Sequence, residues 1–159
     1  MHRLLQKPMV KRLVALVAIA IMAIFMLQQD RYDDIKSDEF AFKTAKGKHE
    51  FTLKVAKASE HHSKGLMYIE SLPEKEGMLF VNPKPAISTF WMKNTYIPLD
   101  IIFVDDSSKI VHIHHNAKPL DELTLITSPY PVKYIVELNG GICEKLGIEV
   151  ADTLDTKGL

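Results

Sequence analysis

The chain has little cysteine, and this scarcity excludes several kinds of site. Its 159 residues include a single cysteine, Cys143. One cysteine cannot form an intramolecular disulfide, and it cannot build a zinc site from several thiolates. A disulfide to another chain stays open, but we favour the interpretation of Cys143 as a small buried apolar residue.

The sequence also lacks the short motifs of common enzyme classes. It has no glycine-rich phosphate loop, no G-x-S-x-G nucleophile elbow and no H-E-x-x-H zinc helix. Nucleotide-binding, acyl-transfer and metalloprotease functions that use these motifs are therefore not expected. No internal repeat is present, and a length of 159 residues favours one domain with an appendage.

Residues 33–159 have no excess of positive charge. Of the 20 Lys/Arg and 20 Asp/Glu residues, five and one lie in residues 1–32, so residues 33–159 hold 15 and 19 and carry a net charge of −4. Phosphate contacts need clustered cations, which a mildly acidic domain does not supply. We therefore expect no nucleic-acid partner.

An apolar segment lies near the N-terminus. Four cations precede an uninterrupted apolar run over residues 13–27. As a helix this run spans about 22 Å, less than the ~30 Å hydrocarbon core of a bilayer, which favours a cleaved signal peptide. The run ends without a small-x-small cleavage site, and Lys11 and Arg12 can snorkel, which favours an uncleaved anchor.

These features predict the location and the domain organisation. The positive flank keeps the N-terminus in the cytoplasm and places the rest of the chain on the other side of the membrane. We predict a single-pass protein of the inner or cytoplasmic membrane with a periplasmic domain, secreted if the segment is cleaved. Residues 1–29 form the anchor or signal, 30–39 a charged linker, 40–155 one β-rich domain and 156–159 a tail.

Alternating apolar and polar residues predict short strands. Residues 40–42 and 51–55 flank a Lys-Gly-Lys turn and predict a hairpin. Further strands are predicted at residues 78–81, 89–93, 100–104, 110–114, 133–138 and 149–154. Two short helices are predicted, one capped by Ser59 and one capped by Asn139 and ended by Gly147. The predicted class is therefore mostly β with two short helices (α+β), a compact antiparallel barrel or sandwich preceded by an N-terminal hydrophobic helix.

Four blocks of residues, together with later short motifs, resemble a known family. The blocks are Gly65-Leu66-Met67, Glu76-Gly77-Met78-Leu79-Phe80, Phe90-Trp91-Met92-Lys93-Asn94-Thr95 and Ile97-Pro98-Leu99-Asp100, followed by Glu137-Leu138, Gly140-Gly141, Leu146-Gly147-Ile148 and Asp152. In order and spacing they are similar to the bacterial and archaeal domain of unknown function 192, also called uncharacterised protein family 0127. The resemblance covers most of residues 50–155 and implies no established activity.

One position departs from the pattern of that family. Its members usually have Arg after the aromatic residue that follows Gly-Leu-Met, whereas here Tyr68 is followed by Ile69. If that Arg binds an anion or pairs with a carboxylate, this chain lacks the partner. An anion-binding role implied by the resemblance is weakened accordingly.

The block around Trp91 is the best candidate for a ligand site. A regular strand there would place alternate residues on two faces, Phe90, Met92 and Asn94 on one and Trp91, Lys93 and Thr95 on the other. Trp91 and Lys93 would form an aromatic platform beside a cation, which suits a sugar ring or an anionic ligand. Asn94 and Asp100 complete the predicted ligand-binding set. The alternative is that Trp91 only covers the mouth of a barrel.

Two carboxylates are weak candidates for catalysis. Asp100 begins an apolar strand, where a carboxylate is costly unless it is paired or hydrogen-bonded. It is either a structural acceptor of loop amides, or a partner of Lys93, or a general base whose pKa is tuned by its apolar setting. Glu137 lies between Val136 and Leu138 and admits the same interpretations. Together the two carboxylates would permit acid/base hydrolysis of the glycosidase kind.

Sulfur and imidazole suggest metal binding, although no cofactor is expected. Met67, Met78 and Met92 belong to the motif blocks and would suit Cu(I), whereas His112 and His114 share a strand face. Methionine in apolar blocks more often fills gaps in a core. These five residues are therefore only weak metal candidates.

The sequence leaves three functions open. The first is a ligand-binding or accessory module for a cell-envelope sugar or peptide, with no identified protein partner. The second is a small envelope hydrolase or lyase that uses Asp100 and Glu137. The third is a Cu(I) or other metal-binding module that uses the three methionines. We favour the first, which is not an enzyme.

Overall fold

The structure, a computed structural model, describes residues 8–33, 35–57, 64–156 and 159. It divides into two compact units, residues 1–36 and 37–159. The predicted helix capped by Ser59 begins in residues 58–63, which lie outside the described residues.

The first unit contains helix α1, Pro8–Asp33. In the described part of the chain, no helix is both long and apolar enough to cross a membrane. The predicted membrane span through residues 13–27 therefore gains no support, and the location of the protein stays a prediction. Helix α1 continues through Asp33 and the first strand begins at Ser37, so regular structure enters the expected linker from both ends.

The second unit is built mostly from strands. In the described residues these are β1 (Ser37–Thr44), β2 (Gly47–Ala56), β3 (Glu76–Ala86), β4 (Thr89–Phe90), β5 (Leu99–Val104), β6 (Ile110–Ala117), β7 (Ile126–Thr127), β8 (Val132–Asn139) and β9 (Thr153–Asp155). A short helix, α2, covers Ile142–Leu146. Seven strands form one sheet in the order β6-β5-β8-β3-β2-β1-β9, and β4 pairs with β7.

The sheet curls until its two edges meet at one end. Lys109, just before β6, forms an isolated bridge with Thr153 of β9. The Ile110 amide donates to the carbonyl of Asp152 at 2.8 Å, and the Leu154 amide donates to the carbonyl of Ser108 at 2.9 Å. The predicted class, α+β and mostly β, is confirmed. One feature differs, because β2 and β3 run parallel within an otherwise antiparallel sheet.

Several predicted elements need correction. The β1–β2 hairpin is present, with Thr44 opposite Gly47. The strand predicted at residues 89–93 ends at Phe90, because the chain turns at Asn94, which has a φ of 53°. The strand predicted at 149–154 covers only Thr153–Asp155. Asn139 does not cap α2, since it ends β8 and its side-chain amide donates to the carbonyl of Leu72 at 3.0 Å.

The curled sheet has a buried inner face and an outer face that is buried over β3, β5 and β8. The inner face packs around aromatic and aliphatic side chains that include Phe42, Phe51 and Leu53, with α2 contributing Ile142 and Cys143. This burial removes apolar surface from water and is the main stabilising term of the domain. The outer face carries a second buried set, Met78, Phe80, Ile101, Phe103, Ile135 and Glu137. It is covered by the segments that contain the Gly65 and Phe90 blocks.

Candidate functional site

Asp100 is a buried acceptor on the inner face. Its side chain has no exposed surface. One carboxylate oxygen accepts the backbone amides of Asn116 at 2.9 Å and Gly141 at 3.0 Å, and the other accepts the amide of Cys143 at 2.9 Å. Asp100 therefore caps the start of α2 from a neighbouring strand, a task that a side chain local to the helix usually performs. This arrangement agrees with the structural interpretation of Asp100.

Cys143 lies beside that carboxylate. It is a free, buried cysteine, and its thiol also hydrogen bonds to Asp100. Burial, and secondly the negative charge of Asp100, raise the pKa of the Cys143 thiol well above its ordinary value. A thiol held protonated in this way is a poor nucleophile. The position matches the expected small buried residue.

Asp100 and Glu137 point to opposite faces of the sheet. Strands β5 and β8 are antiparallel neighbours in which Asp100 lies opposite Leu138, and Ile101 lies opposite Glu137. Residues directly opposite each other share a face, and successive residues alternate between faces. Asp100 therefore points inward with Leu138, whereas Glu137 points outward with Ile101. The sheet separates the two carboxylates, so they cannot act as an acid/base pair in one cleft.

Glu137 is buried and, among the described residues, almost without hydrogen bonds. Its side chain is 5% exposed, and its Oε2 atom has no partner in that part of the chain. Burial raises the pKa of Glu137 from its ordinary 4.5 to about 8, and the backbone amide of Leu66 lowers it only in part. A carboxyl in this setting keeps its proton at neutral pH, because the ionised form would lose water without gaining donors.

A short segment, residues 64–69, lies over Glu137, and we call it the cover. Gly65 has a φ of +49°, and a Cβ built there would lie 3.2 Å from Glu137 Oε2 and 3.4 Å from the Phe80 ring. Glycine suits this place because it adopts positive φ freely and allows the backbone to approach closely. The sequence predicts close packing at Gly65, and the structure identifies Glu137 and Phe80 as the neighbours.

The cover is joined to the loop that follows Trp91. The Tyr68 amide donates to the carbonyl of Asn94 at 2.8 Å. In return, the Asn94 side-chain amide donates to the Tyr68 hydroxyl at 2.8 Å. The rings of Tyr68 and Tyr96 meet edge to face, with their centroids 6.2 Å apart. Asn94 is therefore a link between two loops, not a free ligand-binding group.

Trp91 and Lys93 lie together at the surface. The Lys93 Nζ atom is 5.3 Å from the centroid of the Trp91 ring, within the range of a cation–π contact. Lys93 also forms a salt bridge with Glu122 at 3.7 Å. The predicted pairing of the indole with a cation is thus present, and an exposed carboxylate, that of Glu122, lies beside the same cation. Asp100, the fourth residue of the predicted set, lies buried on the inner face, away from solvent.

A second loop, residues 118–125, lies against the Trp91 loop. The Met92 amide donates to the carbonyl of Asp121 at 3.1 Å, and the Leu120 amide donates to the carbonyl of Thr95 at 3.0 Å. The two loops together present several large apolar side chains to solvent, with exposed fractions of 45% for Trp91, 43% for Tyr96, 57% for Leu120 and 94% for Leu123. We call these four residues and Lys93 the recognition surface. The sequence pattern did not identify the leucines, because loop leucines show no periodicity.

The weak metal candidates differ in their burial and in their neighbours. Met78 and Met92 are fully buried, which fits a packing role, and Met67 is half-buried. His112 stacks on Phe103 with ring centroids 5.8 Å apart. Across the described ranges, no three His, Cys, Asp or Glu side chains could hold a metal ion together.

The neighbouring histidines affect one another. Burial lowers the pKa of His114, and repulsion from His112 and His115 lowers it further. Two of these histidines, His112 and His115, line a cavity of about 380 Å³ together with Lys46 and Glu144. None of the residues of the recognition surface lines this cavity.

The fold and the buried sites define a small α+β domain with a curled mixed sheet. On the inner face of the sheet Asp100 caps α2, and on the outer face Glu137 lies under the cover. The family of unknown function 192, described as an "Uncharacterized ACR", matches residues 41–156. The chain belongs to this family.

Two solved structures are similar to the chain. A protein of unknown function from Novosphingobium aromaticivorans is 38% identical with a TM-score of 0.73, and the match covers 75% of this chain and 84% of that one. A protein from Sinorhizobium meliloti, described as a candidate transcription regulator, is 36% identical with a TM-score of 0.75, and the match covers 79% of this chain and 97% of that one. No curated protein matches the chain significantly.

Proposed function

We propose that this protein is an accessory binding module that docks an apolar peptide segment of a partner protein on the recognition surface. The observation that carries the proposal is the exposure of Trp91, Tyr96, Leu120 and Leu123 on two adjoining loops. Aromatic residues are enriched at the centres of protein interfaces, and clustered exposed apolar side chains are uncommon on a surface without a partner.

The charges of this surface favour a neutral partner. Lys93 forms an exposed salt bridge with Glu122 and lies near the Trp91 ring, so this surface carries one charge of each sign and not a cluster of cations for an anion. The leucines add aliphatic area, which fits apolar peptide side chains better than the hydroxyl groups of a sugar. A sugar stacked on Trp91 is the competing ligand, and the experiment below separates the two.

The proposed setting is the cell envelope. The cation-flanked apolar run over residues 13–27 is typical of a segment that exports or anchors a chain. The charge of the domain argues against a nucleic-acid role, which the description of the Sinorhizobium meliloti protein would suggest. Residues 33–159 carry a net charge of −4, from 15 Lys/Arg and 19 Asp/Glu.

Trp91 supplies the readout, because it is the single tryptophan of the chain. Random peptides displayed on phage are selected on the full chain, and synthetic copies of the enriched peptides are titrated while the Trp91 emission is recorded. We expect enriched peptides that are apolar and uncharged, and a saturable change in emission. Replacing Leu123 by Ser should weaken binding by about tenfold, as for a central apolar contact.

The control is Val150→Ser, which replaces an exposed aliphatic residue that lies outside the two loops. It should leave the affinity unchanged. Absence of enriched peptides, or equal weakening by Leu123→Ser and Val150→Ser, would contradict the proposal. If an N-acetylglucosamine trimer changes the Trp91 emission saturably while no peptide does, the sugar replaces the peptide as the ligand.

A further inference from the structure

The starting observation is a buried acid that no part of the proposed binding role uses. Glu137 is surrounded by Met78 and Phe80 of β3, Ile101 of β5 and the cover. Within the described ranges its Oε2 atom has no partner, and its carboxyl accepts a hydrogen bond from the Leu66 amide. The cover therefore rests on a group that is stable there only while it carries no charge.

The cover also supports the recognition surface. Tyr68, three residues after Gly65, exchanges two hydrogen bonds with Asn94 and packs edge to face on Tyr96. Asn94 follows Lys93 directly, and Tyr96 belongs to the recognition surface. A displacement of the cover would remove these three contacts together.

We propose that Glu137 is a proton-controlled latch: in its neutral form it holds the cover against the sheet and keeps the recognition surface ordered, and its ionisation releases both. The proton passes to solvent and the carboxylate becomes hydrated in the open form. The latch is a regulation of the binding surface proposed above, and its biological meaning rests on that proposal.

Among the described residues, the charged groups nearest to Glu137 do not account for the shift of its pKa. The residues that face it from β3 and β5 are apolar, and the cover carries Lys64. On β6, His114 lies opposite Ile101 and so is one strand further away. Neither Lys64 nor His114 shifts the pKa of Glu137, which burial raises to about 8.

The sign of the pH effect follows from that shift. The closed form holds the proton up to about pH 8, whereas an open, hydrated carboxyl loses it near the ordinary value of 4.5. Opening is therefore coupled to proton loss between these two values. The opening equilibrium should rise with pH by up to about tenfold per pH unit between pH 5 and 8 and level off above pH 8.

Amide hydrogen exchange on the full chain without any ligand tests the latch. We expect the protection factor of the Leu66 amide, corrected for the intrinsic rate, to fall by up to about tenfold per pH unit from pH 5 to 8. The Tyr68 amide should follow with the same slope, because it is bonded to Asn94. The amide of Ile102, on the inner face of the sheet, serves as the reference and should stay more protected than those of Leu66 and Tyr68 at every pH, because it becomes exposed only when the whole domain unfolds.

Two variants complete the experiment. Glu137→Gln keeps the shape without the charge and should remove the slope at Leu66, whereas Glu144→Gln, an exposed acid on α2, should leave it intact. Gly65→Ala places a methyl group against Glu137 Oε2 at a positive φ, so it should lower the protection of Leu66 at every pH.

The outcomes are separable. A protection factor of Leu66 that does not change with pH in the wild type overturns the latch, even if Glu137→Gln does not fold. If the protection factor of the Leu66 amide falls with pH and that of the Tyr68 amide does not, the link between the cover and the recognition surface is overturned. Because no peptide is present, failure of the peptide selection would leave these results unaffected.

Discussion

Two buried carboxyl groups on neighbouring strands of the same sheet have opposite surroundings. Asp100 points to the inner face and accepts three backbone amides and a thiol. Glu137 points to the outer face, and in the part of the chain that the structure describes it accepts one amide and leaves Oε2 without a partner. Burial is nearly complete for both. The difference shows that the supply of donors, and not depth alone, decides whether a buried acid can carry its charge.

The two carboxyl groups also differ in what each is expected to do, since Asp100 holds elements of the fold together and Glu137 responds to pH. The donors of Asp100 come from β6 and from the start of α2, so its removal would loosen the connection between these two elements. Glu137 contacts the cover, which the sheet pairing does not require. We therefore expect substitutions at Asp100 to lower global stability, and substitutions at Glu137 to change how that stability depends on pH.

The largest effect is expected from Asp100→Ala. The substitution leaves the amides of Asn116, Gly141 and Cys143 buried without an acceptor, and each orphaned donor costs about 1–3 kcal/mol. The free energy of unfolding should fall by about 4 kcal/mol, measured by urea denaturation. Asp106→Ala, at an exposed turn, is the control and should change it by less than about 0.5 kcal/mol. A loss at Asp100 below about 1 kcal/mol would mean that water replaces the carboxylate.

A smaller effect, with a distinct pH profile, is expected from Glu137→Gln. The folded-state pKa of about 8 lies above the ordinary 4.5, so the folded state binds the proton more tightly and stability is lost as pH rises between these values. Between pH 5 and 8 the wild type should lose about 3 kcal/mol of unfolding free energy that the variant retains. Urea denaturation at pH 5, 6.5 and 8 measures both curves.

The control for this measurement is Glu144→Gln, which should run parallel to the wild type because the side chain is exposed. If the curves of the wild type and of Glu137→Gln are parallel as well, Glu137 is already hydrated in the native protein. The contrast between the two carboxyl groups would then disappear.

The smallest effect is expected from Cys143→Ala, which changes the surroundings of Asp100 and leaves those of Glu137 intact. It removes the weak thiol donor and a small buried volume but keeps the three amides that hold Asp100. The unfolding free energy should fall by about 1 kcal/mol, by the same urea measurement. A loss comparable to that of Asp100→Ala would show that the thiol, rather than the amides, stabilises the carboxylate.

Sequence patterns predicted the local features of these sites but not their partners. The apolar surroundings of Asp100 indicated a carboxylate bonded to loop amides, and Gly65 indicated close packing. Neither pattern could identify Cys143 or Glu137 as the neighbour, because both contacts join segments far apart in the chain. The same reason explains the error at Asn139, since the cap of α2 comes from β5.

Strand periodicity failed where the backbone leaves the strand. Alternation from Phe90 would place Thr95 on the face of Trp91, whereas Thr95 is buried and Trp91 is exposed. The turn at Asn94, with its positive φ, interrupts the alternation. The opposite orientations of Asp100 and Glu137 depend on the register of β5 with β8, which the sequence of one strand does not contain.

The parallel pairing of β2 with β3 has a consequence for the order of folding. Parallel neighbours cannot be joined by a tight turn, so the chain needs a longer connection from β2 to β3, and the cover belongs to that connection. Its contacts, Phe80 and Glu137, lie on β3 and β8, so it can be seated only after those strands have paired. The cover is thus expected to be the last part of the outer face to form and the first to open, and it is the place where a chaperone or a protease would meet the nearly complete domain.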